Sequence, residues 1–372
     1  MMLRVLLFFS FFAGPLCAAG NLDLVPHFGG GSVYLKKGDH WYVGASVWKL
    51  KRDPSLDEFK YIRSGAEPCG VTHENEVVCA QRDGSLSNRR ERRSLGKVPA
   101  ETKRYLGYCL ETTSGEIYCL QSFVDGSDLR YRYELVDTRA LGPIEKISAS
   151  ATHVCVQTLT GGIHCWGENY GGKLGTGGFP FYQRPEEGGD WSVGQASPGV
   201  PFPTRPVADG TLRFTDVSVY SSTSCALSEE SRSNLYCWGR LLDTSNLFMD
   251  FASFSQTTSS VPRQVNLQAV PSGHLEGLAV GPLVGFAYDE SGRLYVWGDY
   301  GGPLRFPERL DLKVRLLARV PNGFSIDALV PLQGEVCVLG AFADREQQIL
   351  CTRRSWDHPA DPPVLVPVEL EE

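Results

Sequence analysis

The chain has 372 residues, of which 42 % are hydrophobic and 21 % are charged, and it contains 40 glycines and 23 prolines. Its formal net charge of −7 at pH 7 excludes a general electrostatic attraction to nucleic acid or anionic lipid. The length suits two ordinary domains or one large all-β domain, and the scattered glycines and prolines favour many strands joined by turns.

The N-terminal segment has the three parts of a secretory signal peptide. Arg4 gives a positive start, Val5 to Phe12 form an apolar run, and the small residues of Cys17-Ala18-Ala19-Gly20 follow. We predict cleavage after Ala19, so that residues 1–19 are the signal peptide and residues 20–372 form a single exported domain. The compartment would then be extracellular or periplasmic.

Two other interpretations of this segment fit less well. A retained membrane anchor would need about 18 to 20 apolar residues, and the run here is much shorter. A lipoprotein cleavage site favours a small residue before its cysteine, whereas Leu16 precedes Cys17. No later segment is apolar enough to span a membrane, so we expect no membrane span.

Ten cysteines follow the signal peptide, and their spacing predicts five local disulfides. Turn residues such as Ser114-Gly115 lie midway between partners, which is typical of a β-hairpin. All the separations are even, so both sulfurs of a pair lie on the same face of the sheet. Metal binding is the alternative, but the spacings are long and no Cys-x-x-Cys occurs. The predicted disulfides are Cys69–Cys79, Cys109–Cys119, Cys155–Cys165, Cys225–Cys237 and Cys337–Cys351.

The hairpin pattern recurs twice without cysteine, with Phe286 and Val296 in one copy and Ser32 and Tyr42 in the other. Another column of residues, eight positions before each hairpin, supports this register because six of its seven members are apolar or aromatic. That column is Leu24, Tyr61, Glu101, Ile147, Val217, Leu278 and Leu329. Seven copies of a strand-rich unit predict an all-β fold, a seven-bladed β-propeller with a disulfide inside most hairpins. A pair of β-sandwiches is the alternative.

The best-preserved unit, Ile147 to Gly178, resembles the regulator of chromosome condensation repeat. The residues that match the pattern are His153, Cys155, Cys165, Trp166, Gly167, Asn169, Leu174 and Gly175, whereas Ser150 and Lys173 depart from it. The resemblance implies a seven-bladed propeller. Secreted proteins with this fold include an inhibitor that caps a β-lactamase. The founding activity of the family, nucleotide exchange on a nuclear GTPase, does not suit an exported chain.

The C-terminal segment suggests how the ring closes. Residues 362–370 contain Pro362-Pro363-Val364-Leu365-Val366-Pro367-Val368, which looks like the first strand of a unit without a remainder. We predict that this strand completes the blade that contains Ser32 to Gly44, and that closure of this kind removes a free sheet edge.

The sequence provides no signal for catalysis. It has no HExxH, GxSxG, phosphate-binding loop or EF-hand pattern, so we predict no catalytic residue, no metal and no cofactor. His153 matches a position of the repeat and is interpreted as structural. The alternative is a propeller hydrolase or lyase whose site forms at the mouth of the central channel.

Three segments are candidates for binding a protein or a glycan. One contains Phe179, Phe181, Tyr182 and Trp191 among glycine and proline, and another contains Phe248 and Phe251. Aromatic side chains offer large rigid contact areas, although both groups could instead fold back as local cores. The third contains Arg89, Arg90, Arg92 and Arg93, which suit an anionic partner or belong to a solvated loop. We therefore predict a monomeric exported binding scaffold.

Overall fold

Seven antiparallel β-sheets follow one another along the chain in the computed structural model, which confirms the predicted seven-bladed β-propeller. The first strand of each blade is nearest to the central channel, since first strands of neighbouring blades contact one another. The structure describes residues 22–25, 32–63, 68–80, 86–87, 92–98, 100–106, 109–125, 128–150, 153–167, 169–177, 207, 212–229, 234–240, 258–281, 284–298, 314–332, 335–343, 345–353 and 363–371.

Blades 1 to 4 occupy the first half of the described chain. The strands of blades 1 and 2 are β1 (Leu22–Val25), β2 (Val33–Lys37), β3 (His40–Gly44), β4 (Leu50–Arg52), β5 (Phe59–Arg63), β6 (Cys69–Thr72), β7 (Glu76–Ala80) and β8 (Arg92–Lys97). Those of blades 3 and 4 are β9 (Thr102–Tyr105), β10 (Cys109–Thr112), β11 (Ile117–Asp125), β12 (Asp128–Val136), β13 (Ile144–Ala149), β14 (His153–Thr158) and β15 (Ile163–Gly167).

Blades 5 to 7 complete the ring. Their strands are β16 (Phe214–Tyr220), β17 (Thr223–Ser228), β18 (Leu235–Arg240), β19 (Thr258–Gln264), β20 (Gly277–Gly281), β21 (Val284–Tyr288), β22 (Arg293–Gly298), β23 (Arg315–Arg319), β24 (Phe324–Leu332), β25 (Glu335–Phe342), β26 (Gln348–Arg353), β27 (Val364–Pro367) and β28 (Leu370–Glu371). Short 3-10 turns occur at Pro54–Leu56, Arg139–Leu141 and Tyr170–Gly172. Across the described ranges, no helix is long and apolar enough to cross a membrane.

The second and third strands of five blades carry the predicted disulfides, and all five are confirmed. In each pair the two cysteines are direct cross-strand partners, as in Cys155 opposite Cys165. The Cα–Cα distances are 4.0 to 4.1 Å. The alternation of side chains along antiparallel strands places both sulfurs on one face, which is why local spacing predicted the pairing.

Seven hydrophobic clusters hold the ring together, one at each boundary between neighbouring blades. The cluster between blades 4 and 5, for example, joins Cys155 and Cys165 to Phe214, Val217 and Trp238. The equivalent clusters occupy the other boundaries, including the one between blades 7 and 1. Burial of apolar side chains therefore closes the ring, and the disulfides of blades 3, 4, 5 and 7 lie inside these clusters.

The first hairpin has a different register from the one that the sequence suggested. Tyr42 is opposite Leu35, whereas Ser32 precedes the strand. The reason is a short turn: Lys37 pairs with His40, so only Gly38 and Asp39 join the two strands, and Gly38 has a φ of +62°. Two-residue hairpin loops require such left-handed conformations, which glycine adopts without steric cost.

The C-terminal segment also differs from the prediction for residues 362–370. Strand β27 pairs with β26 and completes its own blade 7, with Cys351 opposite Val366. Blade 1 has four strands of its own, and only β28 reaches it, in parallel to β4. An antiparallel neighbour one turn away in the chain was available to β27, so the local pairing formed instead of the distant one.

Candidate functional site

The two faces of the propeller differ in the chain segments that leave them. Since neighbouring strands are antiparallel, the first and third strands of every blade end on the same face, which we call the mouth face. In blades 2, 5, 6 and 7 the third and fourth strands are joined on this face by 11, 17, 16 and 10 residues. On the opposite face, the second and third strands are joined by at most six residues.

The three candidate segments from the sequence all leave from the mouth face. Phe248 and Phe251 lie between β18 and β19, and Arg89 and Arg90 lie between β7 and β8. The segment with Phe179, Phe181, Tyr182 and Trp191 follows the third strand of blade 4. These eight residues lie outside the described residues, so their role in binding stays a prediction.

Arg92 and Arg93 are described, and Arg92 has internal partners. Its Nη1 donates to Glu58 Oε1 at 2.7 Å, and its Nη2 donates to the carbonyl oxygen of Leu86. The guanidinium also lies 4.9 Å from the centre of the Phe59 ring. Arg92 therefore connects strand β8 to the start of blade 2, whereas Arg93 on the same strand is exposed.

A two-stranded ribbon extends blade 3 beyond the rest of its sheet. Strands β11 and β12 pair without interruption from Ile117 opposite Val136 to Asp125 opposite Asp128. The neighbouring strand β10 pairs with β11 only as far as Cys109 opposite Cys119. Residues beyond Cys119 thus project as a ribbon on the mouth face, and isolated ribbons of two strands are only marginally stable in water.

The first strands of blades 2, 3, 4 and 5 end at the channel with Arg63, Tyr105, Ala149 and Tyr220 respectively. Arg63 is half-buried, and its Nη2 donates to the carbonyl oxygen of Ala149 at 3.2 Å. The side chain thus reaches from blade 2 to blade 4, past blade 3, across the mouth of the channel. Tyr133 of strand β12 adds a further phenol, whose hydroxyl donates to Tyr105 Oη at 3.4 Å.

The phenols around Arg63 remain neutral over a wide pH range. Burial raises the pKa of Tyr105 to about 12, and the positive charge of Arg63 offsets part of this effect. Burial likewise raises the pKa of Tyr220 to about 12 and raises that of Tyr133. Burial lowers the pKa of Arg63 itself, but a guanidinium keeps its proton at physiological pH. The mouth therefore presents one positive charge among uncharged hydroxyl groups.

Other cations on or beside these first strands have carboxylate partners. Lys60 Nζ lies 2.8 Å from Glu101 Oε1, Lys103 Nζ lies 2.8 Å from Glu111 Oε1, and Lys146 pairs with Asp216. In the described part of the chain, no carboxylate forms an ion pair with Arg63; the groups that act on it are the three tyrosines and the Ala149 carbonyl. A half-buried charge without a counter-charge is costly, so this site can accept an anion.

The channel-mouth enzyme alternative receives no support from the side chains that are described. Within the described ranges, no group of three or more His, Cys, Asp or Glu side chains is placed to hold a metal ion. His153 is fully buried, with its Nδ1 3.0 Å from Ser150 Oγ and its Nε2 2.8 Å from Ser224 Oγ. Ser224 belongs to blade 5, so this histidine connects two blades.

Sequence reasoning missed the channel-mouth residues. Asp125-Gly126 between alternating apolar and polar residues is a hairpin signal, and it could have revealed the β11–β12 ribbon. Nothing comparable marks Arg63, Tyr105 and Tyr220, because each is a single residue at the end of a strand in a different blade.

Neither a protein-family model nor a curated protein matches this chain. Among solved structures, yeast RCC1 (Prp20), in a complex with Kap60, is 13% identical with a TM-score of 0.51, over 82% of this chain and 73% of that chain. Human WBSCR16 is 13% identical with a TM-score of 0.45, over 90% and 77% of the two chains. The CRINKLY WD40 ectodomain of the Arabidopsis thaliana receptor kinase ACR4 is 14% identical with a TM-score of 0.43, over 94% and 100%. The similarity to Prp20 confirms the resemblance to the regulator of chromosome condensation repeat at the level of the fold.

Proposed function

We propose that this protein is an exported scaffold that binds a protein partner through the mouth face of its propeller. The observation that carries the proposal is the concentration of long connecting segments on one face, around a channel mouth with an uncompensated arginine. Loops held by a rigid scaffold are where binding residues usually lie. The solved complex of Prp20 with Kap60 is an instance of a propeller of this fold with a protein bound.

Two features support export. The N-terminal 19 residues have the composition of a signal peptide, and five disulfides suit an oxidising compartment. Cleavage of the signal would be visible as a mature N-terminus at Gly20 when the secreted protein is sequenced.

Site-specific photo-crosslinking tests which face binds. A photoreactive amino acid is placed at Lys49 or Thr176, which lie on the mouth face, and separately at Ser114 or Glu290, which lie in turns on the opposite face. Each protein is irradiated with a surface or culture extract from the source organism. We expect a discrete adduct from the first two positions and none from the second two. Equal adducts from both faces, or adducts from the opposite face alone, would contradict the proposal.

Two further treatments identify the partner class and the contribution of the aromatic segment. Protease treatment of the extract should abolish the adduct, whereas periodate oxidation of glycans should leave it; the reverse pattern would indicate a glycan ligand. Replacing Phe179, Phe181, Tyr182 and Trp191 together by Ala should weaken the adduct if these residues contact the partner. An unchanged adduct would assign binding to other parts of the mouth face.

A further inference from the structure

The guanidinium of Arg63 has donors to spare in an accessible position. A guanidinium carries five N–H donors, and one hydrogen bond, to Ala149, is seen for Arg63 among the described residues. None of its nitrogens is among the buried polar atoms without a partner, so the remaining N–H groups face accessible space at the channel mouth. These donors can reach a ligand that enters from the mouth face.

A further donor lies beside the guanidinium. Because the Tyr133 hydroxyl donates to Tyr105 Oη, the Tyr105 oxygen is occupied as an acceptor while its own proton has no acceptor in the described part of the chain. Phenol groups that stay neutral can donate hydrogen bonds to an anion without repelling it. The guanidinium and the Tyr105 hydroxyl therefore offer donors of the kind an anion requires.

The charge at the mouth selects the class of anion. One guanidinium balances one negative charge, and the lysines of the neighbouring first strands are already paired with carboxylates. A phosphate or sulfate group carries up to two charges and is usually held by several cations, whereas a carboxylate matches the planar fork of a single arginine. The aromatic rings of the tyrosines also offer apolar contact to the carbon chain of an acidic side chain.

We propose that Arg63, together with Tyr105, Tyr133 and Tyr220, forms a binding site for a carboxylate, presented by an acidic side chain of the protein partner that the mouth face binds. This inference rests on the proposed function for the identity of the partner, but the carboxylate site itself can be tested without any partner. The β11–β12 ribbon would form one wall of the entrance, because it projects from the mouth face of blade 3.

The test follows the Nε–H signal of Arg63 by NMR in the full-length mature protein during titration with sodium acetate at constant ionic strength. We expect a saturable shift of the Arg63 signal. The matched control is Arg345, an exposed arginine on the opposite face, which stacks 5.4 Å from the Phe342 ring. Its signal should not saturate. A shift that is linear and equal at both arginines would overturn the proposal.

Variants separate the roles of charge and geometry. Arg63→Gln should weaken acetate binding roughly tenfold or more, and Arg63→Lys should restore only part of it because an ammonium lacks the planar fork. Tyr105→Phe should weaken it severalfold, and Arg345→Gln should have no effect. For the unlabelled arginine variants, binding is read from the tyrosine ring signals. If phosphate at the same concentration binds as tightly as acetate, the carboxylate assignment is wrong.

The partner experiment distinguishes failure of this inference from failure of the proposed function. If Arg63→Gln binds no acetate but still gives the mouth-face adduct at full yield, the partner does not use this site and the inference fails while the proposed function stands. If acetate binds at Arg63 and no mouth-face adduct forms, the carboxylate site stands and the proposed function fails.

Discussion

His153 is a fully buried histidine whose two ring nitrogens both have hydroxyl partners. Ser224 Oγ donates its proton to the Lys173 carbonyl oxygen at 2.8 Å, so it must accept from His153 Nε2. The neutral tautomer with a proton on Nε2 follows from this chain of hydrogen bonds. Burial, together with the charge of Lys173, lowers the pKa of His153 to about 3.

This lowered pKa makes stability depend on pH below neutrality. In the unfolded chain a histidine binds its proton near pH 6.5, whereas the folded protein resists protonation until about pH 3, so the stabilisation is present above pH 6.5 and is lost as pH falls. Between these values, we expect the free energy of unfolding to fall by about 1.4 kcal/mol per pH unit from this group alone.

Urea denaturation of the wild type and of His153→Gln from pH 7 to pH 4 isolates the effect from that of other titrating groups. The variant should be less stable at pH 7 by about 1 to 3 kcal/mol, because a buried hydrogen-bond partner is lost, and its pH slope should be flatter. Parallel slopes for the two proteins would contradict the assignment.

At the scale of elements, neighbouring blades meet through close contacts between a turn and a tryptophan. Gly175 follows blade 4 with a φ of +71°, and a Cβ atom there would lie 2.7 Å from Nε1 of Trp238 in blade 5. Trp238 is fully buried, and its Nε1 donates to the Lys173 carbonyl oxygen at 3.0 Å. The indole has no room to move, so glycine is required at this position for space as well as for conformation.

Gly115 provides a matched control for this requirement. It has a similar φ of +81°, but nothing lies within 4 Å of a Cβ atom there. Gly115→Ala should cost about 1 to 2 kcal/mol, because only the left-handed conformation is penalised. Gly175→Ala should cost about 1 to 3 kcal/mol more, owing to overlap with Trp238. Equal shifts of the two urea midpoints would show that Trp238 yields without cost.

The hairpins are elements that could be stabilised in two ways. Five are crosslinked by disulfides, whereas blade 6 has Phe286 opposite Val296 in the equivalent place, inside the cluster that it shares with blade 7. Each disulfide closes a loop of only about a dozen residues, so its effect on chain entropy is roughly 3 kcal/mol or less. Hydrophobic side chains can therefore replace a disulfide in this position without changing the fold.

For the whole molecule, the boundary between blades 7 and 1 determines whether the ring stays closed. Leu24, Leu35 and Tyr42 of blade 1 pack there against Leu332 and Leu339 of blade 7. Strand β28 adds one parallel pairing at the outer edge, together with an exposed ion pair of 3.2 Å between Lys51 and Glu371. Exposed ion pairs contribute little, so packing is the main cause of closure.

Two variants at this boundary compare the contributions. Leu35→Ala removes a buried side chain and should lower the free energy of unfolding by about 2 to 5 kcal/mol. A chain that ends at Pro367 lacks only the half-buried Val368 and Leu370 and an exposed end, and should lose about 1 to 2 kcal/mol. Guanidinium denaturation measures both. A larger loss on truncation than on Leu35→Ala would mean that the C-terminal strand closes the ring.

The local features of the fold could be predicted from the sequence because their physical causes are local. Side chains alternate across a strand with a period of two, so even spacing and a central turn were enough to pair Cys155 with Cys165 and to find the equivalent pairs in other blades. Repetition of that unit then predicted a propeller of seven blades. The register of the first hairpin was predicted wrongly because its two-residue turn breaks the spacing of the other units.

The tertiary structure decided which distant residues meet. Strand β27 had two partners compatible with its sequence, and the choice of β26 depends on packing that spacing does not encode. Arg63 meets the Ala149 carbonyl only because the ring places the ends of strands from blades 2 and 4 at one channel mouth. Contacts between blades join single residues from separate repeats, so they leave no periodic pattern in the chain. The sequence by itself determined the blades, and the closed ring determined the site.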